Sequence, residues 1–206
     1  MQIHNYMTGP LSVNTYLVVD EETNKGFLVD PGGKDKGLLE YVKNNNIEIE
    51  YIILTHGHGD HICGLESYKD TWPKALIVAH EEERELLRDA KLNFSTMTCG
   101  RAISVTADIY VKDGDTLTTG QIEMKFLFTP GHTQGGMSIY AGDSLFSGDT
   151  LFAQSIGRTD FPGSSFAALK RSIEEKLYTL PPTTKVYPGH MGPTTIGVEK
   201  EQNPFV

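Results

Sequence analysis

Apolar positions along the chain fall into short runs separated by polar turns. Asn14–Val19 and Gly26–Asp30 read as strands, joined by the polar turn Glu21–Lys25. Over Lys34–Asn45, Leu38, Leu39 and Val42 recur at helical spacing, which predicts a helix. Tyr51-Ile52-Ile53-Leu54 is apolar throughout, the signature of a central strand covered on both faces. Leu76–Ala79 reads as another strand, and Glu81–Lys91 as a helix burying Leu86, Leu87 and Ala90. The second half repeats the style. Asp108–Val111, Gln121–Phe128, Ser138–Ala141, Leu145–Ser147 and Lys185–Tyr187 read as strands. Asp113-Gly114, Thr119-Gly120 and Gly142-Asp143 supply turn chemistry. Phe166–Leu177 carries Phe166, Leu169, Ile173 and Leu177 on one helical stripe. Strands outnumber helices and helices occur in both halves, so the pattern predicts a layered α/β body with sheets inside and helices outside. It does not give the strand order.

Composition narrows the function classes. The chain has 206 residues, a size that fits one domain, and 38% hydrophobic content, enough for a packed core. The net charge of −9 argues against electrostatic capture of nucleic acid or of an anionic membrane. No apolar run has the length of about 18 residues that a membrane span requires, and the first residues lack a basic segment followed by an apolar one. Two cysteines do not make a disulfide framework, so Cys63 is expected to be a small packed thiol and Cys99 carries no signal. These features together point to a reducing, cytoplasmic setting.

The histidines change the picture. Thr55-His56-Gly57-His58-Gly59-Asp60-His61 follows directly on the apolar strand. Two residues apart on a helix, His56 and His58 would diverge by about 200°. On an extended segment they point the same way. The run therefore reads as a loop at a strand end, aiming two imidazoles at one point, with Asp60 and His61 serving a second point nearby. Three further candidates sit on sharp turns after strands: His132 in Pro130-Gly131-His132, Asp149 in Gly148-Asp149-Thr150 and His190 in Pro188-Gly189-His190. Strands fix positions and turns expose side chains. Five His and two Asp form an N/O donor set suited to Zn²⁺, with Fe or Mn fitting the same donors, and seven ligands suit two ions sharing a carboxylate. His80 precedes three glutamates and reads as a helix-start residue, and His4, near the terminus, as a surface one.

At these residues, together with Asp30-Pro31-Gly32-Gly33 and Gly148-Asp149-Thr150-Leu151-Phe152, the chain resembles the metallo-β-lactamase superfamily, and within it the glyoxalase II-like (hydroxyacylglutathione hydrolase-like) branch. The resemblance implies a four-layer αββα sandwich with the metal site at one rim of the two sheets, in a single domain over residues 1–206. It implies that His56, His58 and His132 hold one metal, that Asp60, His61 and His190 hold the other, and that Asp149 bridges them. Asp30 either orients a ligand from behind or is only the turn residue before Pro31-Gly32. The chain departs from full-length glyoxalase II in two places: little follows His190, so a C-terminal glutathione-binding helical portion has no room, and Gly157-Arg158-Thr159-Asp160-Phe161 replaces a basic residue followed by aromatics. Both departures bear on glutathione recognition. Arg158 either pairs with a substrate carboxylate or sits in a surface ion pair.

The reaction these residues imply is hydrolysis. Two cations would share a hydroxide that attacks an activated carbonyl, with Asp60 holding it and a thiolate as leaving group. The expected substrate is a small-molecule acyl compound, a thioester of the hydroxyacylglutathione type. The alternative is the persulfide dioxygenase branch, which the Gly-Arg-Thr-Asp-Phe string also resembles and which holds one iron through His56, His132 and Asp149. Lactones and β-lactams are further acyl substrates for the same attack. Neither oligomeric state nor native metal is legible.

Overall fold

The computed structural model describes residues 1–206. Its first half builds one six-stranded sheet from β1 (Gln2–Thr8), β2 (Val13–Asp20), β3 (Lys25–Val29), β4 (Glu48–Ile53), β5 (Leu76–His80) and β6 (Ile109–Val111), in that spatial order. Strands β1 to β3 pair antiparallel, and β3 to β6 pair parallel. The second half contributes β7 (Thr116–Thr119), β8 (Ile122–Phe128), β9 (Met137–Ala141) and β10 (Ser144–Gly148). A small hairpin of β11 (Leu151–Phe152) and β12 (Ser155–Ile156) follows, then β13 (Lys185–Pro188) and β14 (Thr194–Thr195). The second sheet has the order β14-β13-β10-β9-β8-β7.

Alternation along the strands explains why the two sheets stack. On β2, Tyr16 and Val18 face the second sheet, where they meet Met124, Phe126, Ile139 and Phe146. Leu17 and Val19 point the other way, into a core shared with Leu38 and Val42 of α1 (Lys36–Asn44). Ile52 and Ile53 divide in the same manner. The outer face of the second sheet packs Leu145 and Val186 against Leu169 and Ile173. The result is the layered sandwich that the resemblance implies, two mixed sheets between helices. No helix is long and apolar enough to cross a membrane.

The remaining helices are α2 (Gly59–Ile62), α3 (Leu65–Thr71), α4 (Arg84–Arg88), α5 (Ser95–Thr98), α6 (Phe166–Glu175) and α7 (Ile196–Gln202). Several expectations are corrected here. The helix expected over Glu81–Lys91 is a 3-10 turn, Glu81–Glu83, followed by α4; it buries Leu87 and Glu83 while Leu86 and Ala90 stay half-buried. Phe166 begins α6 but is exposed, because Ser165 caps that end and the buried stripe starts at Leu169. Strand β1 lacks a clean apolar alternation, since as an edge strand it is covered on one side only. Cys63 and Cys99 are not free thiols: they form a disulfide, with Cα atoms 5.6 Å apart, because the α5 segment folds back onto the turn after α2.

Candidate metal centre

The fold places each candidate ligand by one device, a strand end at a common rim. Strands β3 and β4 are parallel and in register from Val29 against Ile53, so their ends set Asp30 beside Thr55 and His56. Strands β10 and β13 are parallel, with Gly148 opposite Pro188, so Asp149 and His190 emerge side by side. Strand β8 runs antiparallel to β9, which is antiparallel to β10, and so delivers His132 to the same rim. The Met137 amide donates to the Thr55 carbonyl at 2.9 Å, tying the two sheets together there.

His56, His58 and His132 present donor atoms within 4.8 Å of one another, and so do Asp60, His61 and His190. The His58 Nδ1 and His132 Nε2 atoms are 3.0 Å apart. Asp149 lies between the triads: one oxygen is 3.6 Å from His132 Nε2 and 3.7 Å from His190 Nε2, and the other is 3.4 Å from His61 Nε2. All seven residues expected from the sequence are thus brought together. The expected loop is extended through His58, after which Asp60 and His61 ride on the single turn of α2. Gly189 is required at this spot, since a Cβ there would lie 2.7 Å from His61 Cε1.

Whether the cluster fits metal can be read from its unpartnered atoms. His56 Nε2, His61 Nε2 and Asp149 Oδ1 are buried with no hydrogen-bond partner, an expensive condition unless a cation completes them. The opposite ring nitrogens of His56, His61 and His132 are engaged. His61 Nδ1 donates to Asp30 Oδ2 at 2.9 Å. Thr55 Oγ1 donates to the same Asp30 oxygen at 2.7 Å and accepts from His56 Nδ1 at 3.1 Å. His132 Nδ1 donates to the Arg158 carbonyl at 2.8 Å. Each bond fixes a tautomer whose free Nε2 faces the cluster, the arrangement metal-binding imidazoles need. The cluster can therefore hold metal ions. Asp30 occupies the orienting position and serves two histidines, one directly and one through Thr55.

Burial and charge act together on the site. Burial, reinforced by His132, pushes His58 down to about 3, and burial pushes His56 well below the usual imidazole range. Burial would also depress His61, but the Asp149, Asp60 and Asp30 carboxylates outweigh it and raise that imidazole. For Asp60 and Asp149, burial is outweighed by the His61 imidazole and its neighbours, which hold both carboxyls below the usual range.

Two supporting residues have no counterpart in the sequence reading. Thr55 is one. Glu83 is the other: its buried carboxylate accepts from the Gly57 amide at 2.7 Å, the Gly135 amide at 2.7 Å and the Thr133 hydroxyl at 3.2 Å. It thus clamps the loop of His56 and His58 to the loop of His132. A Cβ at Gly135 would meet Glu83 Oε2 at 2.5 Å, so that approach needs glycine. Only the place of Glu83 beyond strand β5 hinted at this. His80 behaves as expected, its Nδ1 accepting from the Glu82 amide at 3.3 Å. His4 is half-buried against Tyr41.

A cavity of about 600 Å³ opens over the cluster. Phe161 stands 5.1 Å from His58, ring centre to centre, and 5.3 Å from Phe94; Phe152 stands 6.3 Å from His190. The segments around Asn93–Arg101 and Phe152–Phe161, unplaced by the sequence, are its walls. Arg158 reaches the rim, but its guanidinium is forked onto the Asp160 carboxylate at 2.9 and 2.8 Å.

The chain matches the family model described as the metallo-beta-lactamase superfamily over residues 8–190. It is 37% identical to "Probable metallo-hydrolase YqgX" of Bacillus subtilis, across 96% of this chain and 94% of that one. It is 30% identical to "Hydroxyacylglutathione hydrolase GloC" of Haemophilus influenzae, across 94% and 92%. Among solved structures, the B3 metallo-beta-lactamase BLEG-1 superposes with a TM-score of 0.91 at 36% identity, covering 99% of both chains. TTHA1623 "in a di-iron-bound form" gives 0.85 at 32% identity, covering 98% of this chain and 100% of that one.

Proposed function

We propose that this chain, which belongs to the metallo-β-lactamase superfamily, is a dinuclear-metal hydrolase that cleaves an activated acyl bond, a thioester of the hydroxyacylglutathione type. The observation that carries the reading is the pair of donor triads with Asp149 between them. His56, His58 and His132 would hold one ion, Asp60, His61 and His190 the second, and Asp149 both. Zn²⁺ suits this donor set, and iron suits it too. The likeness to the Haemophilus hydroxyacylglutathione hydrolase and to a di-iron-bound neighbour supports the thioester class and the two-metal count.

When bound, such a pair supplies an acidified water and a Lewis acid for the acyl oxygen. The chain does the positioning. Asp60, ionised and held low by His61, is a poor base but a firm hydrogen-bond acceptor, so it orients the attacking water. His190 Nε2 lies 3.2 Å from Asp60 Oδ2, close enough for both to serve the same ion. The aromatic rings over the cluster exclude bulk solvent and strengthen these charges. No separate nucleophile is required of the chain.

The test couples metal content to turnover. Purified protein is expected to carry close to two ions, to release thiol from thioesters, and to lose that activity with a chelator. Asp149→Ala is expected to deplete both ions by elemental analysis, since one carboxylate serves each triad. Full metal content in that variant would remove the bridge from the scheme. One iron with oxygen uptake on a persulfide would instead establish the dioxygenase alternative.

A further inference from the structure

A second cavity, of about 210 Å³, adjoins the one over the cluster, and His58, His132 and Pro162 line both. One wall of it is acidic. Glu82 and Glu85 are three positions apart, which sets them on one side of the turn that leads into α4. Both line the cavity and neither enters an ion pair: Arg84 lies over the Tyr110 ring, 3.4 Å from its centre, and Lys112 reaches Glu81 instead. No lysine or arginine lines this cavity. His58, shared by the two cavities, is only 7% exposed. Its Nδ1 faces His132 Nε2 at 3.0 Å, on the cluster side. Its Nε2, on the opposite edge of the ring, has no hydrogen-bond partner in the protein, whereas His56 and His132 each engage the nitrogen turned from the cluster. An imidazole that ligates through one nitrogen carries its proton on the other and needs an acceptor for it. The Gln134 amide adds a further donor to the lining, so close to Gly163 that a Cβ there would stand 3.1 Å from its Nε2.

We propose that this second cavity is a subsite for the α-amino-acid end of a γ-glutamyl thiol, with Glu82 and Glu85 taking its ammonium and His58 Nε2 and the Gln134 amide its carboxylate. The proposal rests on the hydrolytic reading and deepens it, because it gives the thiol half of a hydroxyacylglutathione-type ester a place on this chain. Two carboxylates alone would take any cation. An unanswered N–H beside them asks for an acceptor on the same molecule, and an ammonium and a carboxylate on one carbon answer both. Since the cavities meet at His58, the acyl carbon can lie over the cluster while the γ-glutamyl arm passes the edge of that ring. The subsite is also fixed relative to the cluster. Glu83, in the chain between Glu82 and Glu85, is the residue that clamps Gly57 and Gly135 of the two ligand loops.

The test measures binding and turnover separately, on metal-loaded protein. Binding is followed by calorimetry with three ligands that have no ester to cleave: S-methylglutathione, its deaminated analogue with a glutaryl arm, and its decarboxylated analogue with a 4-aminobutyryl arm. Each deletion is expected to weaken binding to the wild type about tenfold. Glu82→Gln combined with Glu85→Gln is expected to weaken S-methylglutathione about tenfold at low salt without weakening the glutaryl analogue. Thiol release by this double variant from the acetyl ester of N-acetylcysteamine, which has no amino-acid end, is expected to match the wild type. Gln134→Glu is expected to weaken S-methylglutathione and spare the 4-aminobutyryl analogue. Absent or equal binding of the three ligands by the wild type, or a loss in the double variant that the glutaryl analogue shares, overturns the subsite while hydrolysis stands. The expected binding pattern with no thiol release from either the acetyl ester or lactoylglutathione overturns the hydrolytic reading and not the binding site.

Discussion

Asp30 and Glu83 show what single residues do here and how far each could be seen in advance. The convergence of the seven side chains was legible because each follows a strand end on a sharp turn and local spacing limits where it points. Thr55 and Glu83 were not, because their roles exist only across the fold. Thr55 matters through Asp30, 25 positions away, and Glu83 through Gly57 and Gly135, 26 and 52 positions away. In the sequence Glu83 is one of three successive glutamates opening a helix. Burial raises its carboxyl to about 7, partly opposed by the Gly57 amide and its other donors. A folded-state value above the unfolded 4.5 means the native protein binds more protons between the two. Stability from this group is therefore present below about 4.5 and declines as pH rises toward 7. With metal removed from both proteins, the wild type is expected to lose up to about 3 kcal/mol relative to Glu83→Gln across that window, measured by urea denaturation. A gap that stays flat with pH would show that burial does not govern this carboxyl.

Among the elements, strands were easier to anticipate than short helices. A buried strand such as β4 declares itself by an unbroken apolar run, whereas α2 and α5 span four residues each, too few to show a period. Their existence depends on what holds them. For α5 this is the Cys63–Cys99 link, closing a separation of 36 residues, together with Asn93, whose side chain caps the Ser95 amide at 2.9 Å. Nothing in two isolated cysteines signals that approach. Constraining a loop of this length in the unfolded chain is worth about 4 kcal/mol on the chain-entropy model. The Cys63→Ser, Cys99→Ser double variant is expected to lose a comparable amount in denaturant titration. Because Phe94 and Met97 of the tethered segment line the cavity, its KM for thioesters should also rise. Equal stability of the two proteins would remove the link from the fold's support.

Taken whole, the molecule is two halves that complete one site, and the layered sandwich was visible in the sequence while its strand order was not. Order depends on pairings between distant strands, which a linear pattern of apolar residues leaves open. The halves are also laced together behind the cluster. The Asn14 side chain donates to the carbonyls of Pro188 and Met191 at 3.0 and 2.8 Å, and the Tyr16 hydroxyl donates to Pro188 at 2.7 Å. The loop of His190 is thereby fastened to β2 of the opposite half. Ions joining ligands of both halves should act as a further fastening. At about a thousandfold excess over the dissociation constant, each is expected to add about 4 kcal/mol to unfolding. Calorimetry of loaded and chelated protein should show the gap, and a single melting temperature for both would show that the cluster does not bridge the halves.

The bond from His132 to the Arg158 carbonyl separates two kinds of inheritance. An amide oxygen belongs to the peptide unit, and no exchange of side chain deletes it. The side chains at positions 158 and 160 can therefore be exchanged while the imidazole stays aimed.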